Sequence, residues 1–385
     1  KMAENTISSI VPDIYEALDV VSRELTGLIP AVTMNASAER AGINQNIVVD
    51  VEPAGNVADI TPSMTIPDPT GQTSGSSIIQ ITKSRAAEFG FIGDDQKKLN
   101  TGPGYMGTRA NKIAQAIRAV ANEVELDLAN LQSTFSRAYG TAGSTPFGTA
   151  NDYTDASNVL KILKDNGSPV SENQLVLNTA AGANFIGKQS AVNAAGTESM
   201  LRQGVLLDLA GMPLRESAQI QNSVAGTAAS ATTDDSGYAA GATVITLASA
   251  GTGTIVSGDV ISFAGDSEKY VVISGDADVS GGGTITLSAP GLRKAIAASA
   301  TAITVVAAAA RNMAFNRSAL VLAARAPARP EEGDMAEDVI LITDPRSGLT
   351  MEFAMYKGYR KVRYEVGLAW GVKNIKPEHT ALLLG

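Results

Sequence analysis

The chain opens with apolar residues at Ile7, Ile10, Val11, Ile14, Leu18, Val21 and Leu25. Steps of three and four place them on one face of an amphipathic helix, which Pro30 would follow and stop. "NIVVDVEP" (46–53) reads as a strand ended by Pro53, and "SIIQITK" (77–83) as a second. The two are joined by about two dozen residues rich in Pro, Gly and Ser, an unusual length of loop inside one compact domain. That composition predicts a segment that is mobile in a free subunit and ordered only against another molecule.

The strongest periodicity lies in "TRANKIAQAIRAVANEVELDLANLQSTFSRA" (108–138). Ile113, Ile117, Val120, Val124, Leu128, Leu131 and Phe135 follow one stripe, predicting a single helix capped at Thr108 and stopped near Gly140. About 30 residues at ~1.5 Å each make a beam of roughly 45 Å, whose stripe needs a sheet or helix to cover it. Beyond it, "DASNVLKILKDNG" predicts a short helix with an acidic start and a glycine stop, and "QLVLN" a short strand. "ESMLRQGVLLDLAGMPLRESAQI" predicts a helix, a turn at Gly211 and Pro213, then a strand.

From 223 to 310 helix signals almost vanish and Gly, Ser, Thr, Ala and Val dominate. "GDVISFAGDSEKYVVISG" (258–275) reads as two strands around a turn. The stretch predicts a self-contained β module with a core of Val244, Ile245, Leu247, Val260, Ile261, Phe263, Tyr270, Val271, Ile273, Ile285 and Leu287. After "RNMAFNRSALVLAARAP" come an acidic loop, "PEEGDMAED", the strand "DVILITDP" and a basic tail of strands. Between positions 346 and 376 the basic residues are Arg346, Lys357, Arg360, Lys361, Arg363, Lys373 and Lys376, against Glu352 and Glu365 alone. The fold class expected is α+β.

Composition narrows what such a chain does. At 385 residues, 44 % hydrophobic and 18 % charged, it is globular and long enough for two or three domains. No apolar run reaches the ~18–20 residues of a membrane-spanning helix, and "KMAENTISSI" lacks the apolar stretch of a secretory signal. A net charge of −9 argues against a dedicated nucleic-acid binder. The absence of cysteine excludes disulfides and thiolate metal sites, and a single histidine, His379, leaves little for a hydrolytic triad or a zinc centre.

The remaining chemistry is thin. His379, in "KPEHTALLLG", reads as a surface or partly packed imidazole rather than a base. "GTGTIVSG" (251–258) has loose phosphate-loop spacing, but a strand follows where such a loop must open a helix, so turns are the better reading. Glu331, Glu332, Asp334, Glu337 and Asp338 match no calcium-loop spacing and read as a solvated acidic loop. The run Lys357–Arg363 interleaves basic residues with Tyr356, Tyr359 and Tyr364. On a continuous strand Lys357, Tyr359, Lys361 and Arg363 would share one face, and Tyr356, Gly358, Arg360, Val362 and Tyr364 the other. Charged strand surface contacting other subunits is preferred there over single-stranded nucleic acid. No constellation carries a reaction, and neither an enzymatic activity nor a cofactor is expected.

The order of parts nevertheless resembles a known family. "TISSIVPDIYEALDVVSREL" at the start, "GLRKAIAASATAITVVAAAARNMAFNRSALVLAARAP" where the β module closes and "MYKGYRKVRYEVGLAWGVKNIKPEHTALLL" at the end carry the resemblance. The chain resembles tailed-bacteriophage major capsid proteins of the Hong Kong 97-like fold, and among them the coat proteins of short-tailed Salmonella phages with an inserted β-barrel domain. The resemblance implies an N-terminal arm (1–42), an extended loop with flanking strands (43–95) and a spine helix with peripheral domain (96–150). It further implies an axial domain beginning at 151–222, an insertion domain (223–310) and returning strands (311–385). The implied function is a structural subunit forming hexamers and pentamers of an icosahedral virion shell, assembled in the host bacterial cytoplasm. The implied partners are a scaffolding protein, a portal protein, a decoration protein and non-specifically packaged double-stranded DNA. Asp234 and Asp235, in "TTDDSGYAAG", match by position an acidic loop that reaches a basic partner across a two-fold; with Arg360, Lys361 and Arg363 they are the expected intersubunit contacts. The rival readings are another self-associating surface or adhesin-type protein with a β-rich binding head, and a glycan-active enzyme with a carbohydrate-binding module.

Overall fold

A computed structural model describes residues 11–25, 27–51, 57, 59–65, 75–101, 104–149, 152–188, 208–344 and 348–385. Ile7 and Ile10, the helix expected around 198–207, and Arg346 lie outside the described residues. The fold is mixed α+β, built on two sheets and one long helix.

The first half begins with α1 (Val11–Leu25), β1 (Thr33–Ala41), β2 (Asn46–Val51), β3 (Gly75–Gln80) and β4 (Lys83–Ile92). α2 (Gly93–Asn100), α3 (Tyr105–Asn130), β5 (Arg137–Gly140), α4 (Thr154–Asp165), β6 (Asn173–Leu177), α5 (Thr179–Lys188) and β7 (Leu214–Glu216) follow. The β-rich stretch contributes β8 (Val244–Leu247), β9 (Val260–Phe263), β10 (Lys269–Ser274), β11 (Gly283–Leu287) and β12 (Ile303–Val305). The chain returns through β13 (Arg311–Asn316), β14 (Leu320–Pro327), β15 (Ala336–Thr343), β16 (Thr350–Gly358), β17 (Lys361–Asn374) and β18 (Thr380–Leu384).

One sheet runs β1-β14-β17-β16-β15, with β4 on the other side of β17. α3 lies against it with the expected stripe inward: Ile113, Ile117, Val120, Val124 and Leu128 are buried with Leu368 and Trp370 of β17. Burying a leucine such as Leu128 is worth about 1.5–3 kcal/mol, so the stripe is the main anchor of the helix. The beam is 26 residues, or roughly 39 Å at ~1.5 Å per residue. It begins at Tyr105 behind Gly104, and Thr108 is not its cap: its Oγ1 donates to the Gly104 carbonyl at 3.1 Å. Nor does it run to Gly140. After Asn130 the chain makes one 3₁₀ turn, buries Phe135 and becomes β5, because pairing with β10 and β18 outweighs local helix propensity.

The first helix finds its cover within the chain: Ile14, Leu18 and Val21 are buried against α3.

The second sheet runs β12-β9-β10-β5-β18-β13-β6-β7. Beneath α4 and α5 a second core holds Val159, Leu163, Leu175, Phe185 and Leu383. Gly167, at φ 79, ends α4 as the sequence suggests. The β-rich stretch has its own core around Ile245, Leu247, Ile261, Phe263, Tyr270, Ile285 and Leu287. Two residues expected there, Val244 and Ile273, are instead 52 % and 39 % exposed. Two more, Val260 and Val271, turn to the main core, because β10 pairs with β5 and makes the sheet continuous with the rest of the chain. Within the stretch β8, β11, β10, β9 and β12 pair in that order. Residues 231–234 bond to both ends of the series: Thr233 N–H to Thr301 O and Asp234 N–H to Thr246 O.

Candidate functional site

The basic run folds as a hairpin, not as one strand. β16 and β17 pair from Glu352↔Gly367 to Gly358↔Lys361, leaving Tyr359 and Arg360 as the turn. Directly opposed residues share a face, so the two-residue turn reverses the parity expected for a continuous strand. Tyr356 therefore lies beside Arg363, with the guanidinium 6.0 Å from the ring centre, and Tyr364 is buried. On the other side β17 pairs with β4 from Lys361↔Ile92 to Trp370↔Lys83. Arg363 pairs there with Glu88 and, at 3.1 Å, with Glu365 of its own strand. Arg360 and Lys361 are exposed at the tip, and the Arg360 carbonyl accepts the Gly93 N–H at 3.2 Å, joining the turn to the start of α2.

Behind the tip, Glu352 is buried between Arg329 (2.9 Å) and Arg40. Arg329 also holds Asp334 at 3.0 Å, and Lys357 holds Glu337 at 3.0 Å. Asp334 and Glu337 of the acidic loop are thus spent on structural pairs, and among the described residues no group of three or more His, Asp or Glu could hold a metal ion.

Asp234 and Asp235 have different roles. The Asp234 carboxylate accepts from Tyr238 Oη at 2.6 Å and Ser236 Oγ at 2.7 Å, which closes the turn. The Tyr238 hydrogen bond, with help from Ser236, holds its carboxyl below the ordinary range. Asp235 is exposed. Asp234→Ala is expected to lower the melting temperature, whereas Asp235→Ala leaves it unchanged. A folded pKa below the unfolded one means the Asp234 contribution is present above the ordinary carboxylate range and lost as pH falls through the folded value. Thermal melts of both variants between pH 7 and pH 3 test this; equal behaviour would reduce Asp234 to a solvated turn residue.

His379 is half-buried in a 3₁₀ turn, its pKa lowered by desolvation, and its Nδ1 has no hydrogen-bond partner among the described residues. "GTGTIVSG" forms turns: Gly251 and Gly253 have φ of 85 and 91, and β9 follows.

Sequence reading missed the exposed apolar side chains. Val57, Ile60 and Met64 are fully exposed between β2 and β3, and Val48 and Ile78, opposed in that ribbon, share an exposed face. Tyr359 is 88 % and Met335 87 % exposed. The available signal was a lone large side chain inside a polar turn, as in "KGYRK" and "EEGDMAE".

No family model matches the chain, and neither does any curated protein. Solved structures do. The capsid structure of the cyanophage P-SCSP1u aligns with TM-score 0.48 and 9 % identity over 92 % of this chain and 86 % of its own. A structure from Mycobacterium phage Che8 aligns with TM-score 0.44 and 14 % identity over 90 % and 88 %. A virus-like particle protein from Pyrococcus furiosus aligns with TM-score 0.44 and 9 % identity over 97 % and 98 %.

Proposed function

We propose that this chain is the major capsid protein of a tailed double-stranded-DNA bacteriophage, a non-enzymatic subunit of the hexamers and pentamers of an icosahedral shell. The observation that carries the reading is the β2–β3 ribbon with its exposed Val48 and Ile78, together with the fully exposed Val57, Ile60 and Met64 between the two strands. Apolar side chains on a two-stranded ribbon gain cover only from another molecule, and a repeated subunit supplies that cover at every position. The helix beam across a sheet gives the stiff body such a lattice needs. Residues 231–234, bonded to both ends of the β8–β12 series, support a small inserted β-barrel, as in the Salmonella phage coat proteins that the sequence resembles. The net charge of −9 suits a shell that encloses DNA without gripping it. In this reading scaffolding, portal and decoration proteins are the partners, and the virion is the location.

Purified chain, alone and with a scaffolding protein, is expected to form megadalton closed shells by sedimentation and electron microscopy. Proteolysis within residues 57–65 should be fast in the unassembled subunit and slow in shells. Filaments or open lattices would favour an adhesin-type protein. Small particles at all salt concentrations with scaffold present, or equal cleavage in both states, would overturn the shell reading.

A further inference from the structure

The four basic residues nearest the tip of the β16–β17 hairpin fall into two groups. Lys357 and Arg363 are paired within the chain, to Glu337 and to Glu88 and Glu365. Arg360 and Lys361 at the turn are exposed, and no carboxylate among the described residues pairs with either. Arg360 sits at φ 56, a backbone conformation that favours glycine or asparagine, so the turn bears strain to hold an arginine there. Its guanidinium covers one face of Tyr359 at 5.6 Å and leaves the ring otherwise open. Beside the tip lies an open concavity of about 710 Å³, lined by Phe91, Ile92 and Val362 together with Asp94, Gln96 and the hairpin residues from Lys357 to Lys361.

The opposite charge stands at the same end of the same sheet. β15 starts at Ala336, opposite Tyr356, so the loop before it ends close to the hairpin tip. In that loop Asp334 is spent on Arg329, while Glu331 and Glu332 are exposed and pair with no cation among the described residues. Met335 stands almost wholly in solvent. Among the described residues one chain thus carries an unpaired acidic patch with an apolar side chain, and an unpaired basic tip beside a concavity whose wall is partly apolar.

We propose that these two patches meet between copies: Glu331 and Glu332 of one chain face Arg360 and Lys361 of a second, and Met335 enters the concavity beside Tyr359. The inference rests on the self-assembly reading above and names the partner segment for the basic tip. The acidic loop precedes β15 at the sheet edge and the concavity lies on the β4 side of the hairpin, so one copy can engage a neighbour through each, and the contact is arranged to repeat from copy to copy around a ring. Charge complementarity sets its register, and the buried methionine and tyrosine supply apolar area.

Unlabelled and ¹⁵N-labelled chains are mixed, assembled and treated with a carbodiimide, which joins a lysine to a touching carboxylate without a spacer. The expected product is a mixed-isotope peptide linking Lys361 to Glu331 or Glu332. The R360E/K361E and E331K/E332K chains are each expected to associate roughly tenfold more weakly, since two attractive exposed pairs become repulsive. The quadruple variant, with the charges exchanged, is expected to recover. Links confined to one chain, or a quadruple variant no better than its parents, would overturn the contact, and the wild-type cross-link needs no variant to fold. Shells without the cross-link would sink the contact alone, whereas small rings that carry it would sink the shell reading alone.

Discussion

Replacing Trp370 by alanine is expected to cost the unassembled subunit about 3–5 kcal/mol, the range for deleting a large side chain from a packed core. Trp370 is fully buried on β17, between Ala324 of β14 and Lys83 of β4. Its Nε1–H donates to Asp127 Oδ2 of α3 at 2.8 Å, and Lys83 Nζ reaches the other oxygen at 2.7 Å. Removing the indole therefore opens a cavity under the long helix and takes a donor from a carboxylate that faces the sheet. Trp370→Phe keeps most of the volume and loses the hydrogen bond, so it should cost less, about 1–3 kcal/mol. Urea unfolding of the two variants makes the comparison. A tryptophan-to-alanine loss below that of the phenylalanine variant would show that β17 does not anchor the helix.

The second large effect is expected at Glu125. This α3 carboxylate is buried and accepts three backbone N–H groups, from Gly27 at 2.9 Å, Leu28 at 2.7 Å and Ile29 at 3.0 Å. It holds the chain where α1 gives way to β1. Gly27 fits because a Cβ there would stand 2.2 Å from the Glu216 carbonyl oxygen. Glu125→Ala leaves three buried donors without an acceptor and should cost about 3–5 kcal/mol, with α1 released from α3 first. Desolvation raises the Glu125 carboxyl above its ordinary value, while hydrogen bonds from the Leu28 N–H, the Ser217 side chain and the Ile29 and Gly27 N–H groups pull it back. A folded pKa above the unfolded one means the folded chain holds the proton more tightly. This contribution to stability is therefore complete below the ordinary value of about 4.3 and is lost as pH rises through the raised folded value. The advantage of wild type over Glu125→Gln should accordingly shrink from about pH 4 toward neutrality. Denaturant midpoints across that range measure it, and an advantage that grew with pH would contradict the assignment.

Glu125 and Trp370 also mark where sequence reading stopped. Both stand in segments whose elements were legible, a periodic helix and a β-rich tail. Nothing local says that a glutamate one place beyond Val124 turns inward to meet backbone amides almost a hundred residues away. The same holds for Glu352, whose partners Arg40 and Arg329 arrive from β1 and from the loop that follows β14. Buried charge is decided by what the rest of the chain brings to it.

What the sequence by itself determined was whatever rests on short-range periodicity. The stripe from Ile113 to Leu128, the α4 pattern with its Gly167 stop, and the apolar strands at 46–51, 173–177, 260–263 and 269–274 express spacing set by helix and strand geometry. Tertiary structure alone decided β1, β4 and β5, whose "TMNASAERA", "KSRAAEFGFI" and "RAYG" carry too few β-branched residues to announce strands. They are strands because β14, β17, β10 and β18 offer unpaired backbone along their length, and satisfying it outweighs weak local preference. The face of every side chain in the basic hairpin was likewise decided by a two-residue turn at Tyr359 and Arg360, because one step of register moves a whole strand's side chains to the opposite face.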